Sequence, residues 1–238
     1  MKPLFIISSA IRTKHGKFSA TERLQQTIET LKSIRDRIPD AKILVNESSG
    51  EQSITQEENN KLSRYADWIE NYSSDPQVQE IYKSTNNWDI VKNYTEMLVT
   101  AKSLYILETY SPESSRIFKL SGRYQLTNDF DLNKYDDPNL TSKYIFSARR
   151  NSQFPTNVTN GLTHQLMSRL WSWPTNKSDL VLARYKIMLE DFTNSLNQNN
   201  YRDIEHLLFK YFEGPNLFEF PIIGVTGQLG PTARQVSD

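Results

Sequence analysis

Two short runs are apolar at nearly every position: PLFIISSA at residues 3–10 and AKILV at residues 41–45. A strand with one face in water alternates apolar and polar residues, whereas a run apolar throughout is buried on both faces, as in a parallel sheet. The segment between the runs has a different period. Ser19 and Glu22 have the spacing of a capping box, and Leu24, Ile28, Leu31, Ile34 and Ile38 follow at steps of three and four. That places them on one face of a helix, which Pro39-Asp40 ends. Two buried strands joined by such a helix predict a parallel pair with a right-handed crossover, and hence an α/β fold.

Further along, Thr55 and Glu58 form a second capping box, and the helix they start is expected to run to about Tyr72. Ser73-Ser-Asp-Pro76 reads as a break. A third helix is expected from about Tyr94 to Ile106, turning Met97, Leu98, Ala101, Leu104 and Tyr105 inward. RIFKLSGRYQL (116–126) follows as a strand. Residues 128–139 read as a polar loop, 143–148 and 162–171 as strands, and 179–196 and 204–212 as helices. FEFPIIGV (218–225) is expected to be a last strand and TGQLGP (226–231) a loop. With neither an internal repeat nor a linker, the chain reads as one α/β domain, 1–238, with halves at about 1–126 and 127–238.

Composition narrows the function classes. The chain has 238 residues, with 28 Lys plus Arg against 28 Asp plus Glu. A zero net charge argues against a nucleic-acid partner held by bulk charge. The absence of cysteine removes disulfides, thiolate metal sites and cysteine nucleophiles. The apolar run near the start is too short for a signal peptide, and no stretch approaches the roughly 18 apolar residues of a membrane span. A cytoplasmic protein is expected, and Asn157-Val-Thr then reads as a chance match to a glycosylation triplet.

In open parallel sheets, ligands bind at the carboxyl ends of the strands. Three such ends are polar here: Ser8, Ser9 and Arg12; Asn46, Glu47, Ser48 and Ser49; and Lys119, Ser121, Gly122 and Arg123. Hydroxyls, cations and a glycine suit a phosphate-bearing ligand, although each end taken alone also reads as a turn with cations at the sheet rim. No Gly-rich dinucleotide fingerprint, P-loop or G-x-S-x-G occurs, and His15, His164 and His206 have no metal-ligand spacing. Asp129-Phe-Asp131 has the spacing of a divalent-ion site and equally that of a solvated turn. Glu205-His206 at a helix start could supply a general base or simply favour the helix dipole. Trp171 and Trp173 could stack on a sugar ring or belong to the core.

Two segments, FSATERLQQTIETLKSIRDRIPDAKILVNESS at 18–49 and RIFKLSGRYQL at 116–126, carry a resemblance to GT-A-type nucleotide-sugar glycosyltransferases. More narrowly, they resemble a bacterial and phage set of that type, as do RDIEHLLFKYF and the closing GVTGQLGP. The resemblance implies a GT-A-like, mostly parallel sheet flanked by helices, and transfer of a sugar from a UDP-, GDP- or related donor to an acceptor hydroxyl. Ser8, Ser9 and Arg12 would then face the nucleotide, Asn46, Glu47 and Ser48 the base or ribose, and Lys92 the donor. Glu205 would be the base, assisted by His206, and Trp171 and Trp173 would lie near the acceptor. KLSGRY stands where this superfamily normally keeps a metal-binding D-x-D, and it holds no carboxylate. Lys119 and Arg123 could then replace a metal, or Asp129 and Asp131 could hold Mg²⁺ or Mn²⁺ from the next loop. A sugar-phosphate nucleotidyltransferase and a non-catalytic nucleotide- or carbohydrate-binding protein are the alternatives; the single glycine in SSAIRTKHGKFS argues against the first.

Overall fold

The computed structural model describes residues 2–13, 16–50, 52–109, 113–230 and 232–238, so His15 and Pro231 lie outside the described residues. Strand β1 (Pro3–Ser9) leads through a loop to helix α1 (Ala20–Arg37). Both halves of the Ser19/Glu22 capping box form, so two of the helix's first amides have side-chain partners. Strand β2 (Lys42–Glu47) and helix α2 (Gln56–Leu62), capped by Thr55 and Glu58, follow.

Helix α2 is shorter than the sequence suggests. Ser63 caps it, and Trp68–Asn71 forms strand β3 at the sheet edge. WIEN is half-exposed and carries no strong strand signal; pairing with β2 decides its state. The break at 73–76 is a helix start, because Asp75 caps α3 (Pro76–Ser84) with Pro76 at the first helical position. Asn87 caps α4 (Trp88–Tyr105), which starts six residues earlier than periodicity alone suggests.

The second half builds strands β4 (Arg116–Ser121), β5 (Tyr124–Leu126), β6 (Tyr144–Ser147), β7 (Arg150–Asn151), β8 (His164–Gln165) and β9 (Leu170–Pro174). Helices α5 (Ser178–Asn197) and α6 (Ile204–Phe212) follow, then β10 (Leu217–Phe220), β11 (Val225–Gln228) and β12 (Gln235–Ser237). The single strand expected over 218–225 is therefore two, which belong to different sheets, and part of the expected closing loop is β11. Pro221 separates them; it lacks the amide that a continuing strand would donate. The strand expected over 162–171 is likewise two, β8 and β9.

The main sheet has seven strands in the order β10-β6-β9-β4-β1-β2-β3. Strands β4, β1, β2 and β3 are mutually parallel, β10 is parallel to β6, and β9 runs antiparallel to both β4 and β6. Successive side chains of a strand point to opposite faces, which sets the two core layers. Leu4, Ile6, Leu44 and Ile117 pack against α4, α5 and α6 through Met97, Leu104, Tyr185, Phe192 and Leu208. Phe5, Ile7, Ile43, Val45, Phe118 and Leu120 pack against α1 through Leu24, Ile28, Leu31 and Ile34. From β1 the chain winds outward through β2 to β3, then returns to β4 on the other side of β1. That reversal leaves a crevice at the carboxyl ends of β1, β2 and β4, as expected for an open α/β sheet.

Candidate active site

A cavity of about 730 Å³ opens in that crevice. The register of the three parallel strands brings their polar ends together, with Ser8 beside Asn46 on one side and Ser121 on the other. Ser8, Ser9, Ser48, Ser121, Arg123, Lys92 and Glu205, all singled out in the sequence, line it.

Several other expected site residues build the walls from behind. Glu47 is fully buried and accepts hydrogen bonds from Ser9 Oγ (2.5 Å), the Ile11 amide (3.1 Å), the Ser49 amide (2.9 Å) and Ser49 Oγ. Four donors on one carboxylate make its burial tolerable and fix the loops after β1 and β2. Asn46 is buried and donates to Ser103 Oγ of α4 (2.9 Å). The Arg12 guanidinium forms a two-pronged pair with Glu58 of α2 (2.5 and 2.7 Å). Gly122 lies where a side chain would crowd: its amide donates to the Ser8 carbonyl (2.8 Å), and a Cβ would fall 3.1 Å from that oxygen.

Lys119 is placed by strand alternation. It shares the α4–α6 face with Ile117 and is completely buried, so its ammonium needs partners within the protein. It pairs with Glu96 of α4 and donates to Ser121 Oγ (2.9 Å) and the Ser168 carbonyl (2.7 Å). All three donors are used. Lys119 Nζ therefore supports the wall without reaching the cavity.

One wall carries carboxylates from α4 and α6. Glu205 accepts from Ser168 Oγ (2.6 Å) and lies 3.7 Å from Lys92 Nζ, which is 3.9 Å from Glu96. Burial pushes the Glu205 carboxyl above its ordinary range; Lys92 opposes that, while Asp203 and Glu96 add to it. Lys92 is held above its ordinary value because Glu205, Glu96, Asp89 and Asp203 outweigh the effect of burial. Asp203 caps α6 through the His206 amide (3.0 Å) and pairs with His206 Nδ1 (2.6 Å). The His206 ring is fully buried, with Nε2 at 2.8 Å from Ser152 Oγ, so it orders Asp203 rather than touching Glu205.

The cavity is also lined by guanidinium groups. Arg123 and Arg23 both line the cavity, and among the described residues neither has a carboxylate within ion-pair distance. Arg23, on the first turn of α1, escaped the sequence reading because a cation there looks like any solvated helix residue. Asp89 and Glu96 escaped as carboxylates that look like ordinary solvated residues, whereas Asp203 reads from the sequence, beside Glu205, as an acidic residue at a helix start. Trp88, 43% exposed at the start of α4, lines the cavity and is an available aromatic surface. Trp171 and Trp173 are fully buried; they pack together (4.6 Å between ring centroids) and Trp171 stacks on Phe146 (4.7 Å), away from the cavity.

The donor set does not fit a divalent cation. Asp129 is exposed and hydrogen-bonds Thr127, and Asp131 accepts from the Asn133 amide (3.0 Å); neither lines the cavity. Glu96 is committed to Lys119 and Asp203 to His206. Among the described residues, no group of three or more His, Cys, Asp or Glu side chains is placed to hold a metal. No described helix is long and apolar enough to cross a membrane.

Several solved structures share this architecture. Core-mannan synthase A (CmsA/Ktr4) of Aspergillus fumigatus in an Mn/GDP form aligns with a TM-score of 0.54 at 10% identity, over 92% of this chain and 73% of that one. The galactosyltransferase LgtC, with donor and acceptor sugar analogs, aligns with a TM-score of 0.54 at 10% identity, over 91% and 72%. Mouse xyloside xylosyltransferase 1 gives 0.53 at 10%, over 92% and 85%. No protein-family profile matches the chain, and no curated protein sequence does. The chain therefore has a GT-A-like α/β fold, shared with glycosyltransferases; at this identity the likeness is one of fold.

Proposed function

We propose that the protein transfers a glycosyl group from a nucleotide-diphosphate sugar to an acceptor hydroxyl, with the whole chain acting as one α/β domain. One observation carries the reading: a cavity at the carboxyl ends of β1, β2 and β4 is lined both by guanidinium groups, Arg23 and Arg123 among them, and by the carboxylates Asp203 and Glu205. A cavity with both kinds of group suits a ligand that carries an anionic part and a hydroxyl-rich part. The donor nucleotide lies over the first half of the chain, near Ser8, Ser9, Ser48, Ser121 and Arg123. The sugar points toward Lys92, Asp203 and Glu205, and the second half shapes the acceptor site. Glu205 takes the proton of the acceptor hydroxyl as that oxygen bonds to the anomeric carbon. The bond from the anomeric carbon to the phosphate oxygen breaks, and the nucleoside diphosphate leaves with the electron pair. A carboxyl whose pKa is raised by burial is a better base than an exposed one.

A thermal-shift screen with UDP-, GDP-, CDP- and dTDP-sugars, followed by assay of nucleotide release, tests this. Stabilisation by one nucleotide class with turnover in a mixture of mono- and oligosaccharide acceptors is expected. Stabilisation without release or transfer would move the assignment to a nucleotide-binding protein. No stabilisation by any of them would end it.

A further inference from the structure

We infer that Arg23 and Arg123 form a cradle that takes the diphosphate directly, without a divalent cation. The inference rests on the reading of the cavity as a nucleotide-sugar site, and it names what holds the charged part of the ligand.

The buried Arg116 and Arg202 have partners that the buried Arg23 and the half-buried Arg123 lack. Arg116 donates to the Lys143 and Leu140 carbonyls and to Ser172 Oγ, and Arg202 pairs with Asp191 at 3.0 Å. Arg23 is 7% exposed, yet among the described residues its side chain makes one long hydrogen bond, Nη1 to the Ala10 carbonyl at 3.3 Å. The Nε atoms of both Arg23 and Arg123 are buried without an acceptor. Arg202 Nε is likewise without an acceptor but its guanidinium has Asp191; at Arg23 and Arg123 the unsatisfied donors belong to cations that line the cavity with no carboxylate partner among the described residues, and such donors call for an acceptor. Burial, and then the neighbouring charge of Arg123, push the Arg23 guanidinium down to about 10. Like charges held together out of water are costly, and an anion between them removes that cost.

Backbone from both ends of the chain lies against the two arginines. A Cβ on Gly16, at φ +124°, would fall 2.5 Å from Arg23 Nη2, and one on Gly230 would fall 3.7 Å from the Arg123 guanidinium carbon. The loop at Gly16 therefore approaches Arg23 closely where it carries no side chain, while the loop at Gly230 passes Arg123 at ordinary contact distance. A guanidinium offers two parallel donors to phosphate oxygens, a geometry that an ammonium lacks. Lys119 cannot take this role, being saturated by Glu96, Ser121 and Ser168, and among the described residues no group of three or more His, Cys, Asp or Glu side chains is placed to hold a metal.

Calorimetric titration of the full chain with pyrophosphate, UDP and GDP, each in EDTA and again with Mn²⁺, tests the cradle. Pyrophosphate and at least one nucleoside diphosphate should bind in EDTA, with affinity changed less than about 3-fold by Mn²⁺. Arg23→Gln and Arg123→Gln should each weaken diphosphate binding by about 10- to 100-fold, as expected for losing a charge-assisted pair. They should weaken binding of the matching nucleoside less than 3-fold. Both variants should keep or raise the melting temperature without ligand, because each relieves the repulsion, while losing the shift that pyrophosphate produces. If Arg23→Gln fails to fold, Arg123→Gln and the charge-keeping Arg23→Lys, expected to show a partial loss, carry the test. Binding that needs Mn²⁺, or unchanged pyrophosphate affinity in both glutamine variants, overturns the cradle and leaves the transferase reading intact. Pyrophosphate binding in EDTA with no nucleotide binding supports the cradle and overturns the nucleotide-sugar reading. No binding by any probe overturns both.

Discussion

Glu205 concentrates the chemistry of the proposed reaction in one side chain. Its carboxyl is raised by burial, with Lys92 pulling against that effect. A raised carboxyl favours the protonated form in the folded state, so its contribution to stability is present at low pH and is lost as pH rises through the folded value. Glu205→Gln cannot ionise and keeps an oxygen for Ser168. Its melting temperature should equal that of the parent near pH 4 and exceed it increasingly toward pH 8; paired thermal melts across that range check the trend, and a constant or reversed gap contradicts it. The same substitution should lower turnover by about 100-fold or more while leaving donor affinity within a few-fold, as removal of a general base does. Base-assisted displacement also inverts the anomeric carbon. A product of retained configuration, read by NMR, would leave Glu205 a sugar-binding carboxylate without the base role.

Among the elements, β4 and α4 are joined by a buried pair whose cost and use can be separated. Lys119 lies on the strand face covered by α4, so it must find Glu96 or remain an uncompensated charge. Lys119→Met should destabilise the protein, by up to about 3–5 kcal/mol, because it leaves the buried Glu96 carboxylate only the more distant Lys92. Lys119→Met with Glu96→Leu should recover most of that loss in urea denaturation. A double variant no more stable than Lys119→Met would show that the stranded carboxylate is not the source of the cost. Helix and strand identity was legible wherever local chemistry sufficed. Both capping boxes form where the serine, threonine and glutamate spacing puts them, and the runs apolar on both faces are β1 and β2. It was not legible at β3, whose polar WIEN becomes a strand because β2 offers an edge to pair with. Nor was it legible at β10 and β11, where an apolar run is divided between two sheets.

Across the whole molecule, the cavity is closed by segments from opposite ends of the chain. The Lys17 amide donates to the Gly230 carbonyl at 3.5 Å, and Gly16 and Leu229 line the same space. A nucleotide bound there should slow amide hydrogen exchange in residues 16–19 and 225–230 together, while the outlying loop at 128–139 exchanges unchanged. Protection confined to either segment alone would contradict the shared wall. By itself the sequence determined the α/β class, the crossover order of the first strands and the polar character of three strand ends, because capping, periodicity and apolar runs are local properties. Only the tertiary structure decided which side chains face the cavity. Strand alternation turned Lys119 into the core, and packing drew Trp171 and Trp173 there. Helix α1 carried Arg23 to Arg123, one hundred residues away in sequence, and no local pattern records which distant groups will meet.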